Sequence, residues 1–328
     1  MSEHFDFVGI GDTVVDAFIR LEIGHVEQHT EGAEYCIPFG MKVPFKEVTV
    51  IPGVGNSANG VVSAVRLGLK AALITFLGND ANGLECINRL KKEGVNMDFA
   101  TQEDGKKTNY HYVLWHGNER TILIKHEAFK AVLPDIGNPS WVYLSSLGEH
   151  AKGLQDELAV YLKSHPDIKL AFQPGTFQIK LGKDALKDIY SQAEVFCCNK
   201  EEAAEILGSQ TTDVKELLLK LSELGPKIVL LSDGPHGAYM KSGENYYQMP
   251  LYPDIAPPLE RTGAGDAFCS TFVSYLAKGF TPEEAITRAP INSMSVVQKI
   301  GAQEGLLSEE KIEEYLKNAP ENYKLVTL

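Results

Sequence analysis

The sequence predicts an α/β fold in which a doubly wound, mostly parallel sheet is flanked by helices and carries a small β-sheet lid. Its 328 residues, 44% hydrophobic and 23% charged, are enough for one large layered structure with a sizeable core. After the first 140 residues, short apolar runs alternate with segments of helical periodicity, which is typical of βαβ units. Before residue 140, two β-rich segments, 33–52 and 107–125, do not fit this βαβ pattern. We therefore predict a single domain, 1–328, whose discontinuous lid comes from about 13–52 and 106–125.

The first half of the chain opens with an apolar run, 5–10, that is typical of a buried strand. Residues 59–69 are apolar at helical spacing and meet a stop signal at Gly68, and a strand is predicted directly after them over 71–77. Residues 108–115 and 120–124 alternate like paired strands around a turn at 116–119, which predicts a β-hairpin.

The second half of the chain is predicted to alternate between strands and helices. Since parallel strands need covering helices on both faces, the two β-rich segments do not fit this layer and are expected to pair with each other as the lid. The predicted strands are 141–144, 169–172, 195–198 and 227–231, and the predicted helices are 151–164, 183–191, 200–207 and 213–224.

Composition excludes several classes of function. With 31 basic and 44 acidic residues, the formal charge is −13, which opposes nucleic-acid binding. No apolar run reaches the roughly 18 residues of a membrane span, and Asp6, Asp12 and Asp16 interrupt the start of the chain where a signal peptide would be apolar, so a cytoplasmic protein is expected. Five cysteines without CxxC spacing are expected to be reduced.

The strongest local signal is the run Thr262-Gly263-Ala264-Gly265-Asp266, which is followed by an apolar-periodic stretch. A glycine-rich turn that opens a helix directs several N–H groups, at the positive end of the helix dipole, towards an anion. A carboxylate beside a phosphoryl group is placed to accept a proton from an attacking hydroxyl. The simpler alternative is that Asp266 is only a favourable first-turn acid.

This run resembles the signature of the ribokinase-like sugar kinases, the phosphofructokinase-B group. The resemblance implies a ribokinase-like fold, Asp266 as the catalytic base, and the amides of Gly263, Ala264 and Gly265 as the anion hole. Residues 53–59, Gly-Val-Gly-Asn-Ser-Ala-Asn, resemble the family's first glycine signature. The substrate-binding residues implied in this way are Gly53, Gly55, Asn59 and Asp16, the last on the lead-out of the first strand.

Three further segments resemble the nucleotide side of the family. Asn199-Lys200-Glu201-Glu202 is similar to its Asn-x-x-Glu motif near phosphate and Mg²⁺, which implies a water-mediated Mg²⁺ contact for Glu202. Ordinary strand-end and first-turn positions are the alternative interpretation of Asn199 and Glu202. The remaining residues implied to lie along the nucleotide are Ser232, Gly234, Gly237 and Gly301. Glu260 and Thr262 stand where the family binds a monovalent cation, so K⁺ joins ATP and Mg²⁺ among the implied cofactors.

The resulting expectation is an ATP-dependent kinase that phosphorylates a hydroxyl of a small ribose-like or fructose-like sugar. A nucleoside kinase of the same fold and a non-catalytic sugar-sensing relative are the alternatives. Alternation places Tyr110, Tyr112 and Leu114 on one face of the lid strand and Asn109, His111, Val113 and Trp115 on the other, one of which should face the site. His126 is either a substrate contact or a joint between lid and body, and we favour the joint. Pairing of two lids predicts a homodimer.

Overall fold

A computed structural model describes residues 4–30, 32–117 and 119–328. Its strands are β1 (Phe7–Ile10), β2 (Val14–Leu21), β3 (His25–His29), β4 (Gly32–Cys36), β5 (Phe45–Val54), β6 (Ala71–Gly78), β7 (Ala100–Glu103), β8 (Asn109–His116), β9 (Glu119–Leu123), β10 (Trp141–Leu144), β11 (Lys169–Phe172), β12 (Ala193–Asn199), β13 (Ile228–Ser232), β14 (Ala238–Ser242), β15 (Asn245–Met249) and β16 (Val326–Thr327). Its α-helices are α1 (Asn56–Arg66), α2 (Ala81–Lys92), α3 (Lys152–Ser164), α4 (Thr176–Leu181), α5 (Lys187–Tyr190), α6 (Lys200–Leu207), α7 (Val214–Ser222), α8 (Ala264–Ala277), α9 (Pro282–Val296) and α10 (Glu309–Lys317).

The main sheet confirms the predicted fold class. Within the described residues it has ten strands in the order β16-β15-β14-β13-β12-β11-β10-β1-β6-β7. The pairs from β13 to β7 are parallel, whereas β14, β15 and β16 extend the sheet antiparallel. Every residue of β6 is buried, as expected for a strand that is covered on both faces.

Helices cover both faces of this sheet, and each face has its own apolar core. On one face α1, α8, α9 and α10 contribute buried side chains such as Val61 and Phe272. On the other face α3, α5, α6 and α7 contribute side chains such as Leu158 and Leu217. The site is therefore built on a rigid two-sided layer.

A second, four-stranded sheet has the order β5-β2-β8-β9, and we call it the small sheet. It unites the two β-rich segments, which confirms that they form a separate sheet. The first segment does not join it completely: β4 pairs with β3 in a separate antiparallel hairpin. Pro38 and the left-handed Gly40 (φ +74°) interrupt the chain between β4 and β5, so the two strands belong to different sheets.

Besides small shifts at element ends, the bounds of two predicted helices differ from the prediction and one helix was missed. Helix α1 starts at Asn56 rather than residue 59, because the Gly55 carbonyl already accepts a helical bond from Asn59 N at 2.8 Å. The predicted helix over 183–191 is reduced to α5. Helix α2 was not predicted, and Asp80 caps it by accepting from Gly83 N at 2.9 Å. Asn118, in the predicted hairpin turn, lies outside the described residues.

The cysteines and helices bear on two further expectations. All five cysteines are unpaired, and Cys86, Cys197, Cys198 and Cys269 are buried. Searching the described parts of the chain finds no helix with the length and apolar character that crossing a membrane requires.

Candidate active site

A cavity of about 230 Å³ lies between the small sheet and the carboxyl ends of the main-sheet strands, where ligands of open α/β sheets bind. It brings together residues far apart in sequence. The polar part of its lining comes from Asp12, Asp16, Asn56, Asn59, His111, His126, Ser146, Thr176, Thr262 and Asp266. Of the predicted substrate residues, Asp16, Gly55 and Asn59 line it.

Asp266 lies in the first turn of α8, and Gly263 sets the start of that helix. Gly263 has φ +83°, and a Cβ there would lie 2.3 Å from Ala302 Cβ, so only glycine fits. The bond from Ala267 N to Gly263 O, 2.8 Å, is the first i→i−4 bond of the helix. The N–H groups of the first turn, including that of Gly265, precede it and can bind an anion.

Two amide side chains hold the Asp266 carboxylate. Asn59 Nδ2 donates to its Oδ2 at 2.8 Å, and Gln173 Nε2 donates to its Oδ1 at 3.0 Å. Both amides are themselves oriented, because Gln303 Nε2 donates to Asn59 Oδ1 at 3.0 Å and Tyr143 OH donates to Gln173 Oε1. The carboxylate is therefore fixed in direction before any substrate binds.

The environment of Asp266 also sets its acidity. Burial raises the pKa of this carboxyl above its ordinary value, and the hydrogen bonds from Asn59, Gln173 and Asn56 oppose that shift. The negative charge of Asp16 adds to the raised pKa. A carboxylate with a raised pKa is a better proton acceptor than an exposed one.

Two histidine–carboxylate pairs line the opposite side of the cavity. His126 Nδ1 lies 2.8 Å from Asp12 Oδ2, which also accepts from Gly148 N at 2.8 Å. His111 Nδ1 lies 3.5 Å from Asp16 Oδ1. The interpretation of His126 as only a joint is incomplete, because its ring also faces the cavity.

Several buried polar atoms of these residues have no hydrogen-bond partner among the described residues. They are Asp12 Oδ1, Asp16 Oδ1, His111 Nε2 and Thr262 Oγ1. Buried polar atoms are normally paired, so the cavity is suited to a ligand with several hydroxyl groups.

A groove beside the α8 N-terminus carries three of the five predicted nucleotide residues, and Asn199 and Gly301 are not among its lining residues. Ser232, Gly234 and Gly237 line it together with Ala264 and Gly265. A Cβ on Gly265 would meet nothing within 4 Å, so its backbone borders open space in which a phosphate fits against the helix N-terminus. Asp266 thus stands where the polar cavity meets this groove.

The sequence profile of the pfkB family of carbohydrate kinases matches residues 21–309. The chain belongs to this family. It is a phosphotransferase with a hydroxyl acceptor, a sugar kinase that uses ATP. The run 262–266 is present in full, which accords with an enzyme rather than with a non-catalytic relative.

Individual relatives agree with the family. Ribokinase of Mus musculus is 25% identical over 263 residues, 76% of this chain and 79% of that protein. Ribokinase of Bacillus subtilis is 27% identical over 275 residues, 81% of this chain and 88% of that protein. The structure of Arabidopsis thaliana ribokinase complexed with ribose and ATP has a TM-score of 0.80 at 20% identity, covering 96% of this chain and 99% of that one, which shows the shared fold.

Two predicted glycines of this carbohydrate kinase lie outside both the cavity and the groove. Gly53 (φ +72°) approaches α2, where its N–H donates to Cys86 Sγ at 3.1 Å and a Cβ would lie 3.1 Å from Cys86 O. Gly301 packs under the small sheet, where a Cβ would lie 2.4 Å from Ile51 Cδ1. Both glycines permit close approach of the backbone.

Asn199 and Glu202 form a capping box at the start of α6. Asn199 Oδ1 accepts from Glu202 N at 2.7 Å, and Glu202 Oε2 accepts from Asn199 N at 2.9 Å. Burial raises the pKa of Glu202, and the negative charge of Asp266 contributes to that shift. The Glu202 carboxylate therefore stabilises the start of α6 and also lies close enough to Asp266 to be affected by its charge.

Glu260 connects two loops beside the site. It is buried, and its Oε2 accepts from Thr262 N at 2.6 Å while its Oε1 accepts from Gly301 N at 2.9 Å. Glu260 therefore connects the run 262–266 to the loop after α9 through two hydrogen bonds.

Sequence reasoning assigned no site role to Asp12 or Gln173. Asp12 comes two residues after β1 and Gln173 comes directly after β11, and these positions at the carboxyl ends of parallel strands were the available signal. Gln303 lies two residues after Gly301, which was predicted to lie along the nucleotide, but its side chain orients Asn59. His126 had no local signal, because its partner Asp12 lies 114 positions away.

Proposed function

We propose that this kinase transfers the γ-phosphoryl group of ATP to a hydroxyl of a small, unphosphorylated sugar in the cavity. The observation that carries the proposal is the set of unpartnered atoms on Asp12, Asp16, His111 and Thr262, which the hydroxyls of a polyol can satisfy. Among the described residues that line the cavity none is Lys or Arg, which disfavours a sugar that already carries phosphate.

Asp266 acts as the general base in this proposal. The acceptor hydroxyl donates its proton to the carboxylate as its oxygen forms a bond to the γ-phosphorus, and the bond from that phosphorus to the bridging oxygen of ADP breaks. The amides of Asn59 and Gln173 keep the carboxylate aimed at the hydroxyl.

The N-terminus of α8 stabilises the charge of the transferring phosphoryl group. Backbone amides of Gly263, Ala264 and Gly265 surround the start of the helix, where its dipole favours an anion. Ala264 contributes least, because its N–H is directed at Arg261 O, 3.4 Å away. The small sheet closes the other side of the cavity, which limits access of water to the reaction.

Asn199 and Glu202 are the residues that would hold Mg²⁺. Burial, and after it the like charge of Asp266, raises the pKa of the Glu202 carboxyl, and a nearby divalent cation would favour its ionised form. Glu202, next to Asn199, would hold the ion through water, which Mg²⁺ prefers to retain. When bound, the ion supplies neutralisation of phosphate charge.

The proposed K⁺ contact fits less well. Thr262 Oγ1 is buried without a partner and could ligate a cation. Both oxygens of Glu260, however, already accept backbone N–H groups, so this carboxylate holds its two loops together directly. No step of the mechanism is routed through K⁺.

A nucleoside is the second candidate substrate. Phe177, Ile122 and Ile124 give the cavity an apolar wall, and the Phe177 ring lies edge-on to His126 with centroids 4.9 Å apart. Tyr110 and Tyr112 give no support to base stacking, because they line a cleft on the opposite side of the small sheet. A sugar therefore ranks first.

The proposal is tested by a coupled assay of ADP release with ribose, fructose, their phosphates, adenosine or cytidine as the acceptor. Thermal unfolding of the parent and of Asp266→Asn in the presence of each compound measures its binding separately from its turnover. We expect a free sugar to stimulate ADP release by the parent and to raise the melting temperature of both proteins. Protection by adenosine or cytidine at concentrations where ribose and fructose do nothing would reverse the order. Preference for a sugar phosphate would overturn the assignment of an unphosphorylated substrate.

A further inference from the structure

The hairpin β3–β4 carries a concentration of metal-ligating side chains away from the kinase site. His25, Glu27 and His29 occupy alternate positions of β3, so they share one face. In the antiparallel register His25 lies opposite Cys36 and Glu27 opposite Glu34. Ala33 and Tyr35 alternate with these β4 residues and therefore belong to the opposite face of the hairpin.

The side chains of this face also converge. One ligand atom each from His25, Glu27 and Cys36 lie within 4.8 Å of one another. His25 Nε2 and Glu27 Oε1 are already 2.8 Å apart. These three residues come from both strands, so an ion held by them would connect β3 to β4.

We propose that His25, Glu27 and Cys36 form a binding site for Zn²⁺. Imidazole nitrogen, thiolate sulfur and carboxylate oxygen are the ligand types of protein zinc sites, whereas Mg²⁺ and Ca²⁺ require oxygen sets. Three protein ligands leave a fourth tetrahedral position for water. On binding, Cys36 gives up its thiol proton and coordinates as the thiolate.

Neighbouring residues support the triad. His29 Nε2 lies 3.8 Å from Glu27 Oε2, the oxygen that is not directed at His25, so it can orient the carboxylate. Glu34 adds negative charge beside the site, 3.7 Å from His29. The ligand face is solvent-accessible, since His25 and Glu27 are exposed.

The hairpin also has a structural need for a cross-link. A two-stranded hairpin is only marginally stable alone. On its opposite face Tyr35 donates to Ile23 O at 2.6 Å and packs on His116, with ring centroids 4.8 Å apart. Zinc on the ligand face would fix the second side of the hairpin and leave these contacts intact.

The test uses calorimetric titration of the full chain with Zn²⁺ and absorption spectra with Co²⁺, whose thiolate complex has a charge-transfer band. We expect stoichiometric binding that excess Mg²⁺ does not displace. Cys36→Ser should abolish the band, and His25→Ala and Glu27→Ala should weaken binding at least ~10-fold. Gln28→Ala, on the opposite face of β3, is the matched control.

Two further measurements keep the outcome decisive. His126→Ala removes a histidine–carboxylate pair of the cavity and should leave the zinc titration unchanged. Thermal unfolding without metal should be the same for parent and hairpin variants, because the substituted side chains are exposed or at the surface. Absence of binding, a cobalt band that persists in Cys36→Ser, or loss of binding only in His126→Ala would each overturn the site.

Discussion

Asp266 is a buried carboxylate whose acidity depends on individual neighbours. Burial raises its pKa, while the donated hydrogen bonds of Asn59, Gln173 and Asn56 lower it. A general base is inactive when protonated, so activity falls as the pH drops through the pKa of this carboxyl. A substitution that removes one of these donors should therefore raise the pKa of Asp266 and move the loss of activity to higher pH.

Gln173→Ala tests this relation. Loss of the donor at 3.0 Å from Asp266 Oδ1 should raise the pKa further and shift the acid limb of kcat/KM to higher pH, with a smaller effect on the plateau. The profile of rate against pH measures the shift. Gln248→Ala, in β15, is the control and should retain the parent profile. An unshifted acid limb in Gln173→Ala would mean that another group limits activity at low pH.

Asp266→Asn tests the base itself. The amide retains the size of the carboxylate but cannot accept the proton, so turnover should fall at least ~10²-fold. ATP affinity should change little, because the groove residues remain. Steady-state kinetics with ATP titration separates the two effects, and near-normal turnover would contradict the assignment.

At this scale the sequence predicts Asp266 as the base, a role that stays a prediction, but it does not predict the side chains that surround this carboxylate. The run 262–266 predicts this role for Asp266 through its resemblance to the family signature and its position in a glycine-rich turn that opens a helix. Its partners Asn59 and Gln173 lie 207 and 93 positions away, so only the folded chain brings them to the carboxylate. Asn59 was predicted as a substrate residue, and the structure adds its contact with the base.

Among the elements, helix α6 has one residue with two roles in our proposal. Glu202 stabilises the start of the helix and would also contact Mg²⁺ through water. Glu202 completes the capping box of this helix, and burial together with the negative charge of Asp266 raises the pKa of its carboxyl. A substitution by alanine removes both contributions, whereas glutamine keeps an oxygen that can accept from Asn199 N and removes only the charge.

Comparison of Glu202→Gln with Glu202→Ala therefore separates the two roles. Both variants should need more Mg²⁺ and turn over more slowly. Only Glu202→Ala should lose about 1 kcal/mol of unfolding free energy, since only it loses the cap. Chemical denaturation and Mg²⁺ titrations measure the two effects. A glutamine variant whose Mg²⁺ titration overlays the parent would leave Glu202 with a structural role alone.

The pattern of elements was predictable where periodicity and burial agree. The alternation after residue 140 predicts the parallel strands, because each is a short apolar run between helical segments. Helix α2 was missed although Asp80 precedes it as an N-cap, since its mostly polar sequence leaves only Gly83, Cys86 and Leu90 buried. The pairing of β4 with β3 was not predicted, because the exposed segment His25–His29 has Val26 as its one apolar side chain and therefore gives no strand signal.

At the scale of the whole molecule, the small sheet has one apolar face that the described residues leave partly exposed. Val48, Val50, Tyr112 and Leu123 are each about half exposed, at 48%, 50%, 47% and 51%. Register places them side by side, since Val50 and Tyr112 both pair with Ala17, and Tyr112 also pairs with Leu123. A contiguous apolar patch of this kind is typical of an interface.

We expect this face to pair with the same face of a second copy, because an isologous contact covers both patches at once. Light scattering at micromolar concentration should give twice the chain mass of 36.0 kDa. Val50→Lys places an ammonium group in the centre of the contact and should shift the population to the monomer, because burying an unpaired charge is costly. Leu219→Lys, at an exposed apolar position of α7, should leave the dimer intact. A parent protein that scatters as a 36.0 kDa particle would refute the dimer, and dissociation by both variants would place the contact elsewhere.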